Sequence, residues 1–127
     1  MCARMELEFQ PAPTTHSAVP ECRRIVDLGL SAAMARRFEA GGITALFNWQ
    51  ADALSQPGVL DGTRNLLYTA TTSAGKTLVA ELLIIKRIES AGQRAKALFI
   101  LPLKALVTQK AQDFARLLEG TSITSAA

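Results

Sequence analysis

The chain has 127 residues, 49% of them hydrophobic and 20% charged, with a formal net charge of +3 at pH 7. These values suit one globular domain and exclude a highly charged disordered chain, and no apolar stretch approaches the roughly 20 residues that a bilayer span requires. Cys2, Cys22 and the single histidine, His16, cannot assemble a zinc site, and the cysteines read as free thiols in a reducing compartment, so an intracellular protein with no membrane partner is expected.

Residues 1–24 hold Pro11, Pro13 and Pro20 among Thr14, Thr15 and Ser17, with no periodic apolar face, and read as a disordered N-terminal segment. Residues 25–60 read as a helical region. Leu30, Met34 and Phe38 recur at helical spacing, with Ser31 as N-cap and Gly41-Gly42 as the stop. A second short helix runs from Asn48, its predicted cap, to Ser55, and Gln56-Pro57-Gly58 ends it. Phe47 and Trp49 read as core. Asp61-Gly62 marks a turn before residues 61–127 change pattern.

In that third region Asn65-Leu66-Leu67-Tyr68-Thr69 reads as a short strand. The stretch from Leu78 to Ile88 is apolar around most of a helix circumference, and Ala91-Gly92 terminates it. Ala97-Leu98-Phe99-Ile100-Leu101 is an unbroken apolar run, the pattern of a strand covered on both faces, and Pro102 ends it. A last helix runs from Lys104 to Glu119 on a face of Val107, Ala111, Phe114 and Leu118, closed by Gly120. A right-handed crossover through the intervening helix would make the two strands parallel. The expected fold class is therefore α/β, a partial P-loop lobe with parallel strands and flanking helices, preceded by a helical N-terminal segment.

Between the first strand and its helix stands Ala70-Thr71-Thr72-Ser73-Ala74-Gly75-Lys76-Thr77. Loop and first-turn N–H groups have no partner inside a helix and converge on an anion. Gly75 lets the backbone approach phosphates without a Cβ in the way. Lys76 can reach the β- and γ-phosphate oxygens, and the Thr77 hydroxyl is placed to hold Mg²⁺. All eight residues are thus candidates for ATP binding, with Lys76 and Thr77 as the catalytic pair, Thr77 as the metal ligand, and ATP and Mg²⁺ as cofactors. Ala70 stands where the general pattern has glycine. From Arg64 onward nine basic residues (Arg64, Lys76, Lys86, Arg87, Arg94, Lys96, Lys104, Lys110, Arg116) face four acidic ones (Glu81, Glu89, Asp113, Glu119), a modest excess that suits a polyanionic partner.

Three segments together resemble the first RecA-like lobe of superfamily 2 helicases, the Ski2-like group in particular, and within it the helicase segments of theta-class DNA polymerases. They are Leu46-Phe47-Asn48-Trp49-Gln50-Ala51, similar to the Q-motif; Thr69 through Glu81, similar to motif I; and Leu101-Pro102-Leu103-Lys104-Ala105-Leu106, similar to motif Ia. Thr71 replaces the proline usual after the first alanine. The resemblance implies an ATP-dependent helicase working on nucleic acid, single-stranded DNA for choice, in the nucleus if the theta-like likeness holds. It implies that Gln50 contacts the adenine edge, and that Pro102, Lys104 and Ala105 lie along the backbone of a tracking strand. Taken alone, Gln50 is an ordinary helix glutamine and Lys104 a solvated cation.

Hydrolysis in that family takes a carboxylate on Mg²⁺ and a second one that orients water, supplied by an adjacent Asp-Glu pair. No two acidic residues are adjacent in this chain. The chain is accordingly expected to be an N-terminal fragment, partnered by the remaining helicase lobes and unable to hydrolyse ATP unaided. Two other readings stay open on the residues alone. One is a different P-loop NTPase or small-molecule kinase, which would need a substrate lid with arginines that is not evident. The other is a non-catalytic nucleotide- or nucleic-acid-binding module.

Overall fold

A computed structural model of the chain describes residues 24–92 and 95–126. The disordered N-terminal segment read from residues 1–24, with Cys2, His16 and Cys22, lies outside the described residues but for Arg24. Among the described residues a 3-10 turn, Ile25–Leu28, is followed by four α-helices: α1, Ala32–Ala40; α2, Asn48–Ser55; α3, Lys76–Ala91; and α4, Lys104–Leu117. No helix among the described residues is long and apolar enough to cross a membrane.

The helices form where local signals place them. Ser31 caps α1 by accepting from Met34 N at 3.2 Å. Gly75 and Gly92, both at positive φ, bracket α3. At α2 the cap differs from the expected Asn48: Phe47 occupies the N-cap position and its N–H donates to Gln50 Oε1 at 2.8 Å. A glutamine three residues past the cap serves the orphan N–H that a capping asparagine would have left to water. The turn at Asp61-Gly62 closes through Thr63, whose N–H (2.9 Å) and hydroxyl (2.8 Å) both donate to Asp61 Oδ1. Those two donors, with the Arg87 guanidinium behind them, hold the Asp61 carboxyl below its usual range despite some desolvation.

The expected α/β architecture is not what forms. The described residues are helical, with no strand, and their one isolated β-bridge pairs Arg24 with Ala45, outside both predicted strands. Residues 65–70 and 95–101 form neither helix nor strand and make no ladder among the described residues. Their side chains still alternate as strand side chains do. Leu66 and Tyr68 pack against the core while Leu67 is 99% exposed; Phe99 is half-buried while Leu98 and Ile100 are 84% and 81% exposed. One face therefore rests on the helices and the other stays open. The run 97–101 reads as covered on both faces because its composition is uniformly apolar, but a sheet exists only where a second backbone lies about 4.8 Å away, and no strand pairs with this run among the described residues.

The core gathers on α3, whose Val79, Leu82 and Ile85 are at most 1% exposed. Ile25 and Leu28 of the 3-10 turn, Met34 and Phe38 of α1, Leu46, and Leu54 of α2 join the same cluster. Helix α4 is more loosely seated: its predicted face of Val107, Ala111 and Phe114 is half-buried, and only Leu118, just past its end, is fully covered. Phe114 meets Phe99 edge-on with centroids 6.1 Å apart.

Polar ties fasten the elements. Ser31 donates to Glu89 through both its hydroxyl and its N–H, the latter at 2.9 Å, and Lys86 donates to the Gly29 carbonyl, so α3 holds the N-terminal turn at two points. Arg37 donates to the Leu117 carbonyl at 2.8 Å, covering the open end of α4. Lys110 pairs with Glu81 at 2.7 Å and with Asp113 at 3.1 Å, joining α4 to α3. Partial burial pulls the Lys110 ammonium down, but its hydrogen bonds to and the charges of the two carboxylates outweigh that and raise it above its ordinary value. Because the folded value is raised, the stabilisation is fully present below the unfolded pKa near 10.5 and is lost as pH climbs through the folded value.

Ser31→Ala removes the α1 cap and the hydroxyl donor to Glu89, leaving the backbone N–H donor in place. The expected result is a lower urea midpoint at unchanged slope, corresponding to about 1 kcal/mol. An unaltered midpoint would show that water replaces the cap without cost.

Candidate nucleotide site

The segment 70–77 joins the irregular stretch 65–70 to the first turn of α3. Ala74 N–H donates to the Thr71 carbonyl at 3.3 Å, closing a tight turn whose third residue, Ser73, has φ 65°. Ser73 is the one described non-glycine residue at positive φ, a conformation that costs a Cβ-bearing residue of order 1 kcal/mol. Gly75, at φ 74°, then caps α3 without any side-chain bond to its first N–H groups. The first turn of a 16-residue helix is thus left with backbone donors that no side chain satisfies.

The Lys76 ammonium folds back over the loop. It donates to the Ala70 carbonyl at 2.7 Å and to the Thr71 carbonyl at 2.6 Å. Thr71, Thr72, Ser73 and Thr77 are exposed, while Ala70, Ala74, Gly75 and Lys76 are half-buried. Loop carbonyls hold the cation where an incoming anion would have to displace them.

Two residues that sequence reasoning did not assign to the site support it from beneath. Tyr68 donates its hydroxyl to the Lys76 carbonyl at 2.7 Å, and Trp49 lies against Tyr68 with ring centroids 5.8 Å apart. Burial raises the Tyr68 hydroxyl above its ordinary value, partly offset by the Ala80 backbone, so it stays a donor throughout the physiological range. The signal available in the sequence was only position, two residues before the loop. Trp49 sits where a core tryptophan was expected, packed on the main cluster. Phe47 does not: it is 61% exposed, and its ring edge would lie 3.6 Å from a Cβ added at Gly75.

Gln50 is brought to the loop. It is 1% exposed, and its Nε2 donates to the Gly75 carbonyl at 2.8 Å while its Oε1 accepts from Phe47 N. Both ends of the amide are occupied by the chain itself.

Pro102, Lys104 and Ala105 are exposed at the start of α4, and no hydrogen bond or ion pair among the described residues ties their side chains to residues 70–77. The first turn of α4 has no side-chain cap either, so Lys104 stands beside free backbone donors. Elsewhere, a cavity of about 810 Å³ opens between α3, residues 95–101 and α4, lined by Ile84, Ile88, Leu98, Leu101, Phe114 and Ile123 among others. No residue of the 70–77 loop lines it. It lies against the segment 95–101 and is not part of the loop site.

Comparison with known proteins gives a consistent result. The DEAD/DEAH box helicase family matches residues 49–127. DNA polymerase theta of Mus musculus is 46% identical over 86 residues, which are 68% of this chain and 3% of that protein. DNA polymerase theta of Drosophila melanogaster is 39% identical over 88 residues, 69% of this chain and 4% of the relative. The ATP-dependent DNA helicase Hel308 of Methanocella arvoryzae is 42% identical over 91 residues, 72% of this chain and 12% of the relative. The matched segment spans only 3% to 12% of the length of these relatives.

Proposed function

The chain belongs to the DEAD/DEAH box helicase family, and on that footing we propose that residues 70–77 bind Mg-ATP as the nucleotide site of an ATP-dependent nucleic-acid helicase. The observation that carries this reading is the Lys76 ammonium lying within the loop, on the Ala70 and Thr71 carbonyls, at the uncapped start of α3. A polyphosphate entering there meets a cation, free backbone N–H groups and the positive end of a helix dipole. Thr77, exposed in the first turn, supplies a hydroxyl for Mg²⁺ beside the phosphates.

Nucleic acid is the second ligand in this reading, DNA in keeping with relatives named as a DNA polymerase and a DNA helicase, and a single strand the form proposed. Pro102, Lys104 and Ala105 would meet its backbone, because an uncapped helix start next to a lysine is a phosphate contact that reads no base. ATP binding without turnover is the proposed activity of this chain, since no adjacent pair of carboxylates is present to order a metal and a water.

Titration calorimetry on the full chain tests the site. One Mg-ATP per chain is expected, with no release of inorganic phosphate over hours. Absence of heat from a folded sample would overturn the nucleotide site, and steady phosphate release would overturn the need for an adjacent acidic pair.

A further inference from the structure

Lys76 is held at both ends by residues 68–71. Its ammonium lies on the Ala70 and Thr71 carbonyls, and its own carbonyl accepts from the Tyr68 hydroxyl at 2.7 Å. Tyr68 is half-buried against the main cluster, and the Trp49 ring lies against it with centroids 5.8 Å apart, so the phenol is seated on the core. We propose that Tyr68 is a positioning residue for the nucleotide site, its hydroxyl fixing the Lys76–Thr77 peptide so that the Thr77 N–H keeps facing the phosphates once the Lys76 ammonium has left the loop carbonyls; this rests on residues 70–77 being the triphosphate site.

The geometry follows from one planar unit. The Lys76 carbonyl and the Thr77 N–H belong to a single trans peptide and point in opposite directions. In the first turn of α3 the carbonyl points along the helix and the N–H back toward the loop. The same carbonyl belongs to the α3 ladder, so the hydroxyl adds a second donor to it instead of rescuing an orphan. What the second donor contributes is anchorage and polarisation. It ties the helix start to the stretch 65–70, and a peptide whose carbonyl is doubly engaged carries a stronger N–H donor at its other end. The two ammonium bonds cannot hold Lys76 in this way with nucleotide present, because charged phosphate oxygens take the ammonium from neutral carbonyls. The Tyr68 bond joins a seated ring to a helix carbonyl and stays made, so Tyr68 acts on the phosphates through the backbone.

Tyr68→Phe removes one oxygen and keeps the ring on Trp49. Calorimetry of the full chain is expected to show Mg-ATP and Mg-tripolyphosphate weakened by the same factor, about two- to tenfold, as for the loss of one hydrogen bond. Two unaltered affinities, or weakening of ATP alone, would overturn the proposal. The Thr77 amide proton, followed by NMR, separates positioning from a purely structural role. Saturating Mg-tripolyphosphate is expected to move it downfield in the wild type and clearly less in the variant; equal movement in both would mean that Tyr68 serves the fold alone, and overturns the proposal. The wild type supplies a measurement that needs no variant. Its hydroxyl proton at Tyr68, the one tyrosine of the chain, is expected to stay protected from solvent exchange with Mg-tripolyphosphate bound, and protection lost on binding overturns the proposal. A folded wild type that binds neither ligand overturns the loop reading and this inference with it, whereas a wild type that binds both confines any failure to Tyr68.

Discussion

Lys76→Ala is expected to weaken Mg-ATP binding by at least about tenfold while the chain stays folded. The ammonium is the cation held within the loop, and its present partners are two neutral carbonyls, of Ala70 and Thr71. Exchanging them for phosphate oxygens replaces neutral acceptors by charged ones, and each charge-assisted bond contributes about 1.5–3 kcal/mol. Losing one or two of them corresponds to one to four decades in affinity. The fold should tolerate the change. Alanine is the best helix former, Lys76 opens α3 rather than packing in its middle, and the lost bonds lie at the half-exposed surface of a loop. Parallel circular dichroism melts and calorimetry check both halves. Wild-type affinity in the variant would mean that the loop does not grip the triphosphate at all.

Leu82→Ala is expected to have the largest effect on stability. Leu82 is 1% exposed at the centre of α3, in the cluster that unites the 3-10 turn, α1 and α2. Removing a buried leucine costs about 2–5 kcal/mol through lost transfer energy and the cavity left behind. Domains of this size have about 5–15 kcal/mol in total, so the variant loses much of its margin. The adjacent Leu83 is an internal control, since it only lies against the cluster from a half-buried position. Leu83→Ala should shift the urea midpoint clearly less. Equal shifts for the two would mean that α3 is not seated on the face that Leu82 defines.

The helices were legible in the sequence because their signals are local. Ser31 caps where its side chain reaches Met34 N, and Gly75 and Gly92 bound α3 by conformations that disfavour other residues. The strands were not, because pairing is a property of two separated segments and composition describes only one at a time. Leu98 and Ile100 look identical to core residues until a neighbour fails to cover them. At the site, the loop was legible from its spacing, and Gln50 was legible as a residue of interest. Its partner was not, since nothing in residues 46–51 indicates that the amide ends on Gly75. Phe47 was misjudged as core for a related reason. As the N-cap of α2 it stands where the chain enters the helix, so its ring points past the packed face and remains 61% exposed.

Leu67, Leu98 and Ile100 stand exposed on edges with which no strand pairs among the described residues. Such edges are templates: they hydrogen-bond whatever extended chain arrives, including another copy of themselves, and their apolar side chains favour staying joined. Handling of the purified chain will therefore be governed by crowding as much as by temperature. At high concentration intermolecular β-structure should accumulate, visible as growing light scattering and an amide I band characteristic of sheet, and dilution is the condition under which each molecule keeps to itself.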